Sequence, residues 1–315
     1  MINEKQIKIV FLGSATFSVP ILMELIKRYT VVSVVTEIDK PGGRGLEIVS
    51  PPTKALSQQQ GIPVYQPLSL QKNPKLLEKL AGLNPDLCVV AAYGKILPSE
   101  YLNFTRHGCL NVHPSLLPKY RGASPIQSAF LNSDIETGCS IILMDEGMDT
   151  GDILVQKSVQ IDPDWGYRKL EQKLSLLGAQ LLAKRIPDYI KGNLSFDIQD
   201  DHKASFCYKV SKEDGLINWA HSAKKIIGKV KAFEVWPGSY TYFGNKKLDI
   251  INAQIAEIPN EKVDLGKVMK QNGKIFVRTG SGFIELFEVR PEGKNKMSVK
   301  DFINGHQDFV GSVLG

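Results

Sequence analysis

The run Leu87-Cys88-Val89-Val90-Ala91-Ala92 is apolar at every position rather than at every second one. A strand with one wet face alternates; a strand apolar throughout has to be covered on both faces, which favours a parallel sheet with helices above and below it. Comparable short runs recur at Ile7–Leu12, Val31–Thr36, Cys109–His113 and Ser140–Met144. Between them the spacing predicts helices near Val19–Lys27, Pro52–Gln60 and Pro74–Ala81, the last two opening on proline. A longer helix is expected over Tyr167–Lys191, with Leu170, Leu174, Leu177, Leu181 and Leu182 at helical spacing and Gly192 just past its end. Residues 1–192 therefore read as an α/β domain with an open, doubly wound, mostly parallel sheet. Such a sheet binds ligands beyond the carboxyl ends of its strands.

Residues 193–208 are polar and read as a linker, after which the texture changes. Tyr240–Phe243, Leu248–Ala253, Gly266–Met269, Ile275–Arg278 and Gly282–Val289 are short strand candidates separated by Gly and Asn turns. One helix, about Ser222–Phe233, precedes them. Its Ala223, Ile226, Ile227 and Val230 form a single stripe, with Lys224, Lys225, Lys229 and Lys231 opposite. Residues 209–315 thus suggest a second, smaller domain, a β-barrel carrying one basic helix. Nearly all of the formal net charge of +6 belongs to this half, in a cluster running from Lys203 to Lys231. A basic face recruits a polyanion such as nucleic acid, or is simply solvated.

Several classes are disfavoured. No apolar run approaches membrane-spanning length and the N-terminus has no secretory hydrophobic region, so a cytoplasmic protein is expected. Cys88, Cys109, Cys139 and Cys207 lack CxxC spacing, and three lie in strand-like runs, which suits buried thiols. The five histidines show no HxxH or HExxH spacing, so no metal is expected. The first strand is followed by Gly13-Ser14-Ala15-Thr16, one glycine where a dinucleotide fingerprint needs three.

Three segments can carry chemistry. Asn111 and His113 stand two apart at a strand end, so they project from one face at the ligand-binding edge of the sheet. An amide donor beside an imidazole can hold a carbonyl oxygen that becomes an oxyanion. Pro114–Gly122 follows, a loop stiffened by two prolines that could line a pocket. Asp145-Glu146-Gly147-Met148-Asp149-Thr150-Gly151-Asp152 packs four carboxylates after a strand, with spacing unlike a calcium loop. A carboxylate brought near His113 could keep the imidazole protonated and relay a proton. Taken singly, these also read as a structural strand end, a connector and an acidic turn.

In their order and spacing they say more. Asn111-x-His113-x-Ser115-Leu116-Leu117-Pro118-x-x-Arg121-Gly122-x-x-Pro125-Ile126, then Thr137-Gly138, then Asp145-x-Gly147-x-Asp149-Thr150-Gly151-Asp152 resembles the signature of the folate-dependent formyltransferases. The resemblance extends over nearly the whole chain to the branch that acts on methionyl-tRNA. It includes Thr36–Lys54 as an inserted loop, Ala91–Pro98, Lys209-x-x-Lys212-Glu213-Asp214-Gly215-x-Ile217-x-Trp219, and Trp236-Pro237-Gly238. The branch acting on glycinamide ribonucleotide resembles only the first domain and leaves Lys209–Gly315 unaccounted for.

The resemblance implies a Rossmann-like catalytic domain, a linker and an OB-like barrel, with 10-formyltetrahydrofolate as donor and the α-amine of initiator methionyl-tRNA as acceptor, and no metal. It implies that Asn111 and His113 polarise the formyl oxygen and that Asp149 pairs with His113. Ser115, Leu116, Leu117 and Pro118 are then expected to contact folate. Arg44 on the inserted loop, with Lys209, Lys212, Lys224, Lys225 and Lys229, is expected to hold tRNA, and the chain is expected to act as a monomer. Two departures stand out: Pro114 replaces the usual Ala or Gly, and Leu46-Glu47-Ile48 follows Arg44 and Gly45 where lysines are common, leaving a less basic loop. A sugar-nucleotide N-formyltransferase shares the folate signature but gives no reason for the lysine cluster. A non-catalytic binding module makes the Asn111, His113 and Asp149 combination a coincidence.

Overall fold

The computed structural model describes residues 3–42, 47–257 and 263–315. Its first sheet has seven strands: β1 (Lys8–Gly13), β2 (Thr30–Val35), β3 (Val64–Tyr65), β4 (Leu87–Ala91), β5 (Cys109–His113), β6 (Glu136–Leu143) and β7 (Ile153–Gln160). Their spatial order is β7-β6-β5-β4-β1-β2-β3. The five from β3 to β5 pair in parallel, while β6 and β7 run antiparallel at one end. The chain winds outward from β1 to β3, then returns to place β4 on the other side of β1. That reversal is the topological switch point at which sheets of this class bind ligands.

The helices α1 (Ser18–Arg28), α2 (Pro52–Gln59), α3 (Pro74–Ala81), α4 (Ser99–Leu102), α5 (Pro125–Leu131) and α6 (Tyr167–Ile190) connect these strands. Proline in the first turn of α2 and α3 loses no hydrogen bond, because those N–H groups have no intrahelical partner. Every residue of β4 and β5 is buried, as the unbroken apolar character of β4 requires, and in β5 this includes Asn111 and His113. On one face α6 lies close against β5. A methyl group at Gly178 would come within 2.6 Å of Val112 Cγ1, so the glycine sets that approach. Cys139 Sγ donates to Leu174 O at 3.1 Å and Ser175 Oγ to Phe17 O at 2.8 Å, which ties the same helix to the sheet. All four cysteines are buried thiols.

Six further strands, β8 (Ser239–Phe243), β9 (Lys246–Ala256), β10 (Val268–Gln271), β11 (Lys274–Arg278), β12 (Phe283–Pro291) and β13 (Met297–Ser298), form an antiparallel sheet in the order β8-β9-β12-β11-β10, with β13 on β12. Val268 N donates to Ser312 O (2.9 Å), Leu314 N to Gly266 O (3.0 Å) and Gly315 N to Tyr242 O (3.2 Å). One short tail therefore bonds at both edges of the sheet, which must curl to allow it. The sheet encloses Trp219, Leu248, Val277, Ile284 and Phe309, together with Ile226 of α7 (Ala223–Ala232) and Phe302 of α8 (Val299–Asn304). By their packing, residues 126–135 and 161–170 group with 209–315, and the rest of the chain forms the other unit.

The expected strand over Cys109–His113 and helix over Pro74–Ala81 have the same limits in the structure. The α/β sheet and the antiparallel second unit both stand as read. The strand β7 was not foreseen: Gln156, Lys157, Ser158 and Gln160 make it polar, because it is an edge strand with solvent on one side. Among the described residues no helix is long and apolar enough to cross a membrane.

Candidate active site

The carboxyl end of β5 carries Asn111 and His113, both buried, at 9% and 4% exposure. The third group comes from the turn between β6 and β7. Asn111 Nδ2 donates to Asp149 Oδ1 at 3.2 Å, and His113 Nδ1 lies 3.5 Å from the same oxygen. The other carboxylate oxygen, Oδ2, accepts the backbone N–H of Gly122 at 2.9 Å. The three residues drawn from the sequence as a possible constellation are thus in mutual contact around one oxygen.

The imidazole is held from behind. Its Nε2 lies 3.0 Å from the carbonyl oxygen of Tyr120. A carbonyl only accepts, so Nε2 carries hydrogen and Nδ1 is the nitrogen left to exchange a proton on the side of Asp149. Tyr120 reaches this position with φ +61°, a left-handed conformation that turns its carbonyl toward the ring. Two residues on, Gly122 adopts φ +121°, and any β-carbon there would collide with Cys207 O, so only glycine fits. Sequence reasoning missed both backbone contributions.

The four-carboxylate turn separates into distinct parts. Asp145 Oδ1 accepts from Gly147 N (3.0 Å) and Thr150 Oγ1 (2.7 Å), closing the turn on itself. Glu146 is exposed to solvent, and Asp149, at φ +54°, is the one that reaches Asn111 and His113. The turn's backbone is gripped by Gln199, whose Nε2 donates to the carbonyls of Asp149 (2.9 Å) and Gly151 (2.7 Å).

The Pro114–Pro118 loop hangs from the sheet by its backbone. Ser140 Oγ donates to Ser115 O (2.6 Å) and accepts from Leu117 N (3.1 Å), while Gln156 Nε2 donates to Leu117 O (2.8 Å). Ser115 is fully buried, its hydroxyl bonded to Lys119 O at 2.6 Å, and Leu117 is 3% exposed; Leu116 and Pro118 keep part of their surface open. A buried hydroxyl needs a partner, so Ser140 inside the apolar run Cys139–Leu143 was the available signal for this loop, and it went unread. Gly138 makes room for it: a methyl group there would meet Lys157 O and come within 2.5 Å of Leu116 Cδ2. Gly138→Ala is therefore expected to push Leu116 and its loop off the sheet. It should cost about 1–3 kcal/mol of stability, seen as a lower thermal midpoint. An unchanged midpoint would show that the loop gives way freely.

The expected polyanion-binding lysines do not behave alike. Lys209, Lys212, Lys224 and Lys225 are exposed. Lys229 folds back and donates to Asp214 O and Leu216 O, each at 2.7 Å, and Lys231 donates to Pro163 O. Burial pulls the Lys229 ammonium below the usual lysine range, partly offset by Asp214 and reinforced by Lys225. On α7 the free cations are thus Lys224 and Lys225, and Lys229 staples the turn before the helix. The His221 imidazole is also held below its usual range, first by burial and then by the charges of Lys225 and Lys229. Arg44 lies outside the described residues.

The chain is similar to known proteins along nearly its whole length. Residues 7–186 match the family described as Formyl transferase, and residues 209–307 match Formyl transferase, C-terminal domain. Proteins named methionyl-tRNA formyltransferase from Caldanaerobacter subterraneus subsp. tengcongensis and Geobacter metallireducens are each 40% identical to the chain, over 309 and 310 residues. Each alignment spans 98% of this chain and 99% of the relative. Among solved structures, an N-formyltransferase from Helicobacter canadensis, crystallised with folinic acid and dTDP-3-aminofucose, superposes with a TM-score of 0.65 at 19% identity, covering 89% of this chain and 98% of that one. HypX from Aquifex aeolicus in complex with tetrahydrofolic acid gives a TM-score of 0.65 at 18% identity over 96% of this chain and 48% of its own.

Proposed function

Because the chain belongs to the methionyl-tRNA formyltransferase family, we propose that it transfers the formyl group of 10-formyltetrahydrofolate to the α-amine of initiator methionyl-tRNA, yielding N-formylmethionyl-tRNA for translation initiation. The observation that carries the site assignment is the single oxygen Asp149 Oδ1, within 3.2 Å of Asn111 Nδ2 and 3.5 Å of His113 Nδ1. It gathers two hydrogen-bond donors and a proton acceptor at the ligand-binding end of the sheet.

The donor supplies an electrophilic carbon on N10, and its chemistry needs oxyanion stabilisation and one proton transfer. Asn111 Nδ2 has a second hydrogen beyond the one given to Asp149, and that hydrogen meets the formyl oxygen. Protonated His113 meets it through Nδ1–H, since Nε2–H is engaged by Tyr120. Fixed donors in a water-poor site stabilise the charge developing on that oxygen by about 3–4 kcal/mol each. As the amine attacks, it gives up a proton through Asp149, N10 gains one, and the N10–carbon bond breaks. Leu116 and Pro118, the partly exposed members of the loop, carry the folate contacts; Ser115 and Leu117 act by holding the loop in shape.

The acceptor is read from the second unit. The exposed Lys209, Lys212, Lys224 and Lys225 favour a phosphate backbone, with affinity that is steep in salt and blind to sequence. Selection of the initiator then rests on the shape and unpaired end of its acceptor stem. An amino-sugar acceptor has no need of this surface. Incubating the protein with 10-formyltetrahydrofolate and either methionyl-tRNA or a dTDP-amino sugar separates the two: formylation of the sugar alone would end this reading.

Lys224→Glu and Lys225→Glu are each expected to raise the KM for methionyl-tRNA several-fold and to flatten its log–log salt dependence by about one unit for each phosphate left without its lysine. Lys229→Glu should instead lower the thermal midpoint, because two backbone carbonyls lose their donor. Equal KM effects at all three positions, with no change in stability at Lys229, would contradict the division.

A further inference from the structure

We propose that Gln199, in the linker, is a positioning residue for the reaction, holding Asp149 in its left-handed turn, and that Arg121 serves Gln199 rather than a substrate; this rests on Asp149 being the proton carrier assigned above. Asp149 has φ +54°, a left-handed conformation uncommon for a non-glycine residue and better tolerated by aspartate than by most. The side chain of Gln199 holds it from the linker side. Its Nε2 donates to Asp149 O at 2.9 Å and to Gly151 O at 2.7 Å, which uses both hydrogens of the amide.

The amide has only one workable orientation. Oε1 accepts from Arg121 Nε at 3.0 Å and from Nη2 at 2.9 Å. Rotating the amide by half a turn would set an oxygen against two carbonyls and an NH2 against a guanidinium. Gln199 and Arg121 are 8% and 3% exposed, and Arg121 Nη2 is neutralised by Asp201 Oδ1 at 2.8 Å. Two of the guanidinium's three nitrogens, Nε and Nη2, are thus engaged on the linker side. A line of hydrogen bonds runs Asp201–Arg121–Gln199 and ends on the backbone carbonyl of Asp149, the residue whose side chain meets Asn111 and His113.

The linker backbone reinforces the same two loops. Asp197 and Ile153 exchange both backbone hydrogen bonds at 2.9 Å, just beyond the Asp149 turn. Arg121 N donates to Ser205 O (2.8 Å) and Ala123 N to Cys207 O (3.2 Å), on either side of the Gly122 N–H that binds Asp149. The segment read from sequence as a plain connector is therefore part of the frame of the active site.

Gln199→Glu isolates the donor role. It keeps the side chain's volume and an oxygen for Arg121, but puts an acceptor where Asp149 O and Gly151 O need a donor. In Gln199→Glu and Gln199→Met, kcat is expected to fall roughly 10- to 100-fold, the scale of a small displacement of a reacting group. The KM values for methionyl-tRNA and donor should stay within about twofold, with thermal midpoints showing folded protein. In an Asp149→Ala background, measured by single turnover, Gln199→Glu should have no further effect, since Gln199 acts through Asp149. Wild-type kcat in both single variants would overturn the proposal. So would a loss carried by KM, or the same fold-loss in the Asp149→Ala background. Full activity of Asp149→Ala by itself would instead remove the assignment of Asp149.

Discussion

His113→Ala is expected to lower kcat for methionyl-tRNA formylation by about 10³-fold while moving the KM for tRNA by less than about threefold. The size follows from what leaves with the ring. Nδ1 is the only nitrogen free to exchange a proton, because Nε2 is engaged by Tyr120 O at 3.0 Å. Removing the ring deletes a donor to the developing oxyanion and the imidazole that faces the proton carrier Asp149, while Asn111 and Asp149 keep their 3.2 Å bond. Binding should survive, since the exposed lysines of the second unit are untouched. Steady-state kinetics with methionyl-tRNA and 10-formyltetrahydrofolate, checked by a filter-binding titration of tRNA, decides the matter. A variant within tenfold of wild-type kcat would take His113 out of the chemistry.

Asp149→Asn should be nearly as damaging, for a reason peculiar to this geometry. Oδ2 faces the Gly122 N–H at 2.9 Å, and Oδ1 faces the Asn111 NH2 at 3.2 Å. An asparagine has one oxygen and one NH2, so in either orientation a donor confronts a donor. One buried N–H then lacks a partner, which costs about 1–3 kcal/mol, and the carboxylate that takes the amine's proton is gone. A fall in kcat of about 10²- to 10⁴-fold is expected, with a lower thermal midpoint than for His113→Ala. Wild-type turnover would show that the carboxylate only shapes the turn. A normal midpoint with abolished turnover would show that the charge matters and the two hydrogen bonds do not.

The strands that line the site were legible because burial leaves a plain mark: Leu87–Ala91 and Cys109–His113 are apolar wherever they are not functional. The residues proposed to do the chemistry were legible by type and spacing, through Asn111, His113 and the acidic turn. What escaped was hydrogen bonding by backbone and by residues far apart in the chain. Gln199 sits in a polar stretch that reads as a linker, and nothing local marks it as the partner of a turn 50 positions earlier. Lys229 shows the converse error. Its place on the polar face of a helix made it one of several equivalent cations, whereas its four-carbon stem lets it fold back onto two carbonyls.

The amino-acid sequence by itself determined the covered parallel sheet, the second unit of short strands, and a set of groups able to hold a carbonyl oxygen and move a proton. These follow from periodicity, composition and side-chain type, which are local properties. Only the tertiary structure decided how the backbone of the Asp149 turn is held, which imidazole nitrogen is free, and which lysines remain exposed. Each of those depends on distances between elements remote in sequence, and on backbone groups that every residue carries alike. At Asp149 the two levels meet: the motif supplies the carboxylate, and its left-handed turn, held from the linker, brings it to His113.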